Sequence, residues 1–249
     1  MHSFVGKRSA VVAIAVASFG LMGTAAAVDG VVLIDQARVN AAGGFPYKIT
    51  APGSYRLASN LVAPLGKSGI DVSTGGSVSL DLNGYSISSS ASCSPTGQSC
   101  TPPVSGAGTV TGVWVHDAGT GSGAFSLKNG SINGFPGYGI EVQVGGAVEI
   151  RDTKVFNNSF SGMIISTSGG QGGVSVNVIR DNLVWRNGGT GIVGGDLVID
   201  NIVTGNGSVG LALQPTAGYR GNHLLGNGQG PVSGGVSIGS NVCAYQQLC

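Results

Sequence analysis

Asp181-Asn182-Leu183-Val184-Trp185-Arg186-Asn187 returns nineteen residues later as Asp200-Asn201-Ile202-Val203-Thr204-Gly205-Asn206, and twenty-one after that as Gly221-Asn222-His223-Leu224-Leu225-Gly226-Asn227. Each copy sets four residues with an apolar centre between two asparagines. A phrase recurring at a period near twenty is the mark of a stacked structural repeat. The asparagine columns extend toward the N-terminus through Asn83, Asn129 and Asp152 on one side, and Ser88, Gly134 and Asn157 on the other.

Between these phrases a glycine repeatedly leads an apolar-x-apolar strand. It does so at Gly69-Ile70-Asp71-Val72, Gly112-Val113-Trp114-Val115, Gly139-Ile140-Glu141-Val142 and Gly162-Met163-Ile164-Ile165. The pattern continues at Gly191-Ile192-Val193, Gly210-Leu211-Ala212-Leu213 and Gly235-Val236-Ser237-Ile238. Short alternating strands put one residue set inward, where Ile, Val and Leu stack on their equivalents one coil away, about 4.8 Å along the axis. Corners between strands require positive φ, which Gly and Asn adopt at least cost. An inward asparagine column can hydrogen-bond from coil to coil and satisfy the buried corner backbone. A β-sandwich needs tight hairpins and no such column register. The pattern therefore predicts an all-β, single-stranded right-handed parallel β-helix of roughly seven coils with an N-terminal cap.

The rest of the chain sets the boundaries. Residues 1–27 carry Lys7 and Arg8, an apolar run from Val11 to Met22, and Ala25-Ala26-Ala27, which reads as a signal peptide cleaved before Val28. Residues 28–66 differ in composition and are expected to form the cap and first strands. Residues 67–249 form the β-helix, with a Ser/Gly/Pro-rich loop at about 88–109. Without Lys7 and Arg8, ten basic residues face eleven acidic ones. That balance gives no reason to expect nucleic acid as partner, nor a membrane after signal cleavage. Cysteines fall in two close pairs, Cys93/Cys100 and Cys243/Cys249, expected as two local disulfides in a secreted or periplasmic protein, though four cysteines allow three connectivities.

The Gly-Ile-x-Val strands with Asn-Gly turns resemble the repeats of pectate-lyase-like secreted proteins. The likeness extends to a group of exported bacterial β-helix proteins mostly without assigned function. It runs from Phe45 to Cys249 through Ile49-Thr50-Ala51-Pro52-Gly53-Ser54-Tyr55-Arg56-Leu57, Asp81-Leu82-Asn83-Gly84, Tyr219-Arg220-Gly221-Asn222 and the Cys243/Cys249 tail. The resemblance implies the fold. Activity does not follow, because lyases, hydrolases, epimerases and binding modules share it. Lyases of this kind use basic residues and carboxylate-bound calcium. No tight aspartate cluster matching that calcium site stands out, and no other cofactor is indicated.

Stacked in register, the outward positions of the glycine-led strands form two columns. One runs Asp71, Trp114, Glu141, Ile164, Val193, Ala212, Ser237. The other runs Ser73, His116, Gln143, Ser166, Gly195, Gln214, Gly239. The N-terminal half gathers carboxylates, an imidazole, an indole and an amide. Such a mixture suits sugars, which offer apolar ring faces and hydroxyl edges. Asp71, His116 and Glu141 are the candidate catalytic residues, with Trp114 and Gln143 as candidate substrate contacts. Asp71 and Glu141 lie two coils apart, roughly 9–10 Å, near the carboxylate separation of inverting glycoside hydrolysis. Two bland readings stand beside this one: outward carboxylates often serve only solubility, and Trp114 could simply pack under the Cys93–Cys100 loop. Arg151-Asp152 and Arg180-Asp181 read as exposed ion pairs or part of the asparagine/aspartate column, and Arg151, Lys154, Arg180 and Arg186 as a solvated face ahead of a basic strip for an anionic polymer. Three functions follow: a surface interacting with a polysaccharide or other extracytoplasmic partner, a polysaccharide lyase or glycoside hydrolase, and a purely structural envelope component.

Overall fold

The computed structural model describes residues 30–93, 100–101, 110–116, 123–167, 176–243 and 249. The expected signal peptide and the middle of the 88–109 loop lie outside the described residues. The strands pair in parallel from coil to coil, as the repeat predicts. The glycine-led face is an eight-stranded sheet running from Tyr47–Ile49 through Ile70–Ser73, Val113–His116, Ile140–Val144, Met163–Thr167, Ile192–Val193 and Leu211–Ala212 to Val232–Ser233. The other two faces join into one sheet, because Phe125–Asn133 and Val148–Phe156 each run through the corner between them. Coil pairing begins before Gly69: Val31–Ile34 pairs with Gly53–Leu57, and Tyr47–Ile49 with Ile70–Val72. Between these first strands a short helix, Gln36–Ala41, is capped by Asp35 and buries Val39.

Alternation builds the core. Ile70, Val113, Ile140, Met163, Ile192 and Leu211 occupy one inward register position and are fully buried. Each such side chain contributes about 1.5–3 kcal/mol by leaving water.

Two asparagine ladders run through the corners. In the first, Asn201 Oδ1 accepts from both the backbone N–H and Nδ2 of Asn182 at 3.0 Å, and Asn222 and Asn241 repeat the pattern. The second links Asn158, Asn187, Asn206 and Asn227 in the same way. Here the expected columns are off by one residue in the N-terminal coils. Asn83, Asn129, Asp152 and Asn157 do not stand in the ladders. They occupy left-handed corners at φ of 51°, 61°, 51° and 54°, as do Asp181, Arg186 and Asp200. In the coil of Asp152 the inward position belongs to Thr153, whose N–H donates to Asn182 Oδ1 at 3.1 Å. A two-residue corner needs one left-handed residue and one inward amide, and asparagine serves both roles.

The leading glycines are also not there for positive φ. A Cβ on Gly162 would lie 2.6 Å from Val184 Cγ1 and 2.8 Å from the carbonyl oxygen of Gly191, with Asn187 Nδ2 at 2.9 Å. Gly69, Gly112, Gly139, Gly191 and Gly210 meet equivalent obstacles. The rule also corrects the last coil. Leu211–Ala212 pairs with Val232–Ser233, and the position above Gly210 is Pro231, not Gly235. Val236–Ser237 belongs to the neighbouring sheet, paired with Gly218–Tyr219. Ser233 therefore ends the first outward column in place of Ser237. The second column stops at Ser166, since Gly194 and Gly195 turn the next coil away with φ of 82° and 91°.

Cys243 and Cys249 form a disulfide, and Cys249 O accepts from Ser237 Oγ and Asn241 Nδ2, closing the first ladder. Cys100 is also disulfide-bonded. Its backbone partner is Cys93 in a short antiparallel ladder, and the Cys93 side chain lies outside the described residues. Arg180 pairs with Glu149 and Asp181 at 2.9 and 2.8 Å, and Arg151 with Asp152 at 2.6 Å. Glu149 above all, and then Asp181, hold the Arg180 guanidinium more firmly protonated than usual. These groups are about two-fifths exposed or somewhat less, so Glu149→Gln is expected to cost under about 1 kcal/mol in denaturant unfolding, and less still in high salt.

Candidate functional site

Parallel register places Lys48, Asp71, Trp114 and Glu141 side by side on successive coils, each pointing outward between buried residues. Two residues further along the strands, Ser73, His116, Gln143 and Ser166 form the neighbouring row. His116 and Glu141 thus share one face, as the proposed site requires.

The side chains are linked. His116 Nε2 lies 3.0 Å from Asp71 Oδ1, with the imidazole about a quarter exposed and the carboxylate 14% exposed. The Trp114 indole stacks on the same imidazole, with ring centroids 4.1 Å apart and planes 27° apart. One indole face is therefore covered by His116. Trp114 Nε1 is buried and has no hydrogen-bond acceptor among the described residues, an arrangement that costs roughly 1–3 kcal/mol. Glu141 is held from both sides: Gln143 Nε2 donates to Oε1 at 2.7 Å, and Thr111 Oγ1 donates to Oε2 at 3.4 Å. The base of the loop at Cys100 packs beside Ser159 and Phe135 O.

Two of these residues were not found by sequence reasoning. Lys48 sits on a strand led by Phe45-Pro46 with no glycine, and the only available signal was the alternation of Tyr47-Lys48-Ile49. Thr111 precedes a leading glycine, where loop and strand look alike. A groove of about 430 Å³ lies on the next face, over Ser54, Ser79 and Ser126, and includes none of the site residues.

Carboxylates do line up elsewhere. Asp152, Asp181 and Asp200 follow register-matched residues on three consecutive coils. Arg151 and Arg180 neutralise two of them. Among the described residues no group of three or more His, Cys, Asp or Glu side chains is arranged to hold a metal ion. Among the described residues, too, no helix is long and apolar enough to cross a membrane.

Comparison with curated proteins and with solved structures finds no match for the chain. The family model of the right-handed beta helix region matches residues 111–242, more than half of the sequence. Together with the parallel coil-to-coil pairing, this shows that the chain belongs to the right-handed β-helix family.

Proposed function

We propose that the chain is an exported β-helix protein that binds a neutral polysaccharide across the N-terminal half of its glycine-led face. The observation that carries this reading is the shared register of Asp71, Trp114 and Glu141, with His116 and Gln143 beside them. Carboxylates, an amide and an imidazole around an indole match the alternating hydroxyl edges and apolar faces of sugars. Charge favours a neutral polymer over a uronate. Two carboxylates stand against one lysine, Lys48, so a polyanion meets repulsion. The disulfides fit an oxidising compartment, the periplasm or the outside of the cell.

A catalytic reading is favoured by one specific contact, the 3.0 Å pair of His116 and Asp71, with Glu141 two coils from Asp71. In it His116 serves as base and the product is a shorter glycan. A purely structural envelope role calls for neither ligand nor turnover.

One screen separates the three. Purified protein is titrated with neutral and uronate polysaccharides, while reducing ends and unsaturated-product absorbance are followed. Saturable binding to neutral polymers without new ends supports the binding reading. Turnover transfers it to the catalytic one, and neither response on any polymer leaves the structural one. Trp114 offers an independent check. Trp114→Phe keeps a ring on His116 and removes the orphaned N–H, so stability is expected to rise by about 1 kcal/mol. Trp114→Ala is expected to weaken polysaccharide binding about tenfold or more, the share of one aromatic contact. Unchanged affinity in Trp114→Ala rules out this face as the binding surface.

A further inference from the structure

We propose that Asp71 locks His116 in the Nε2–H tautomer, so that Nδ1 becomes the hydrogen-bond acceptor this face presents to a hydroxyl of its ligand. The second half of the statement rests on the glycan-binding reading, and the first half stands on geometry alone.

A carboxylate oxygen only accepts, so the 3.0 Å contact between Asp71 Oδ1 and His116 Nε2 requires the hydrogen to sit on Nε2. In the neutral ring the other nitrogen then carries the lone pair. The described side chains around the ring leave that lone pair unused. Gln143, directly opposite His116 in register, is the neighbour whose amide could have donated to Nδ1. Its Nε2 is instead turned to Glu141 Oε1 at 2.7 Å. No described residue donates to Nδ1. Trp114, stacked on one face of the ring at 4.1 Å, hinders the flip that would exchange the two nitrogens. Asp71 is thus a positioning residue. It fixes which nitrogen faces the ligand, and Nδ1 accepts from a hydroxyl donor.

The test uses the full chain labelled with ¹⁵N-histidine. Two-bond ¹⁵N–¹H correlations report which ring nitrogen carries hydrogen, and His116 is assigned as the signal lost in His116→Gln. The expected spectrum has a protonated Nε2 and a bare Nδ1. Asp71→Asn, whose amide can donate or accept, and Asp71→Ala, which can do neither, are each expected to give a mixture of both tautomers. Affinity for a neutral polysaccharide is expected to fall in step with the Nε2–H fraction, about twofold for an even mixture. A wild-type His116 with hydrogen on Nδ1, or a wild-type mixture that Asp71→Asn leaves unchanged, overturns the tautomer lock. A locked wild-type tautomer without polysaccharide binding overturns the functional reading and leaves the lock standing. An affinity in Asp71→Ala that stays at the wild-type value while the Nε2–H fraction falls shows that Nδ1 is not the ligand's acceptor.

Discussion

Asn201→Ala is expected to lower the unfolding free energy by about 3–5 kcal/mol, among the largest effects of any single polar substitution here. Asn201 is fully buried and makes five side-chain hydrogen bonds. Its Oδ1 accepts from the N–H and Nδ2 of Asn182, and its Nδ2 donates to Ile179 O, Ile199 O and Asn222 Oδ1. Truncation leaves several of those groups buried without a partner, and each costs roughly 1–3 kcal/mol. Because a solenoid coil touches only its neighbours, the damage falls on the coils of Asn182 and Asn222. Thermal and urea unfolding measure it, with a melting point roughly 10 °C lower. Asn201→Asp should be at least as harmful, since the amide donors are replaced by a carboxylate that can only accept while charged. A cost under about 1 kcal/mol for Asn201→Ala means that water replaces the amide and the ladder is not a stabilising element.

The same ladder shows how far the sequence could be read. Period, strand type and the existence of asparagine columns were legible, because a β-helix repeats one environment once per coil. Position within a corner was not legible. Asn129 and Asn182 look equivalent in the sequence, yet one fills a left-handed φ of 61° and the other an inward amide site. Propensity alone cannot separate these roles, because asparagine is favoured in both. Gly235 misled for a related reason. It leads an apolar-x-apolar stretch like the others, yet a leading glycine is needed only where another coil's carbonyl must approach. Over Gly210 that coil is the last on its face, and Pro231 is tolerated there. At the candidate site, the grouping of Asp71, Trp114, Glu141, His116 and Gln143 came from register counting and survives in the structure. The pairing within it did not come from counting. That His116 turns to Asp71 while Gln143 turns to Glu141 is settled by rotamers, which a column of letters does not contain.

Gly112→Ala should couple fold and site in a single substitution. The Cβ it adds would stand 2.5 Å from the carbonyl oxygen of Gly139 and 3.1 Å from the Phe135 ring, and would collide with Ile132 Cγ2. None of the three neighbours can step aside cheaply. Gly139 O is the acceptor for Val113 N–H, and Phe135 and Ile132 are fully buried. Strand Val113–His116 must therefore move, at a cost of about 1–3 kcal/mol or somewhat more for overpacking of this kind. That strand carries Trp114 and His116, whose partners Asp71 and Glu141 sit on the coils before and after it. The shift should lengthen the His116–Asp71 hydrogen bond, so the histidine tautomer signal and polysaccharide affinity ought to weaken together with the melting point. Gly210→Ala supplies the comparison. Its Cβ would lie 2.6 Å from Pro231 O and 2.7 Å from Asn227 Nδ2, a similar obstacle on coils that hold none of the site residues. It should lower stability by a similar amount while the tautomer signal and binding persist. If both variants lose binding equally at temperatures where both remain folded, the proposed face is not where the ligand is held.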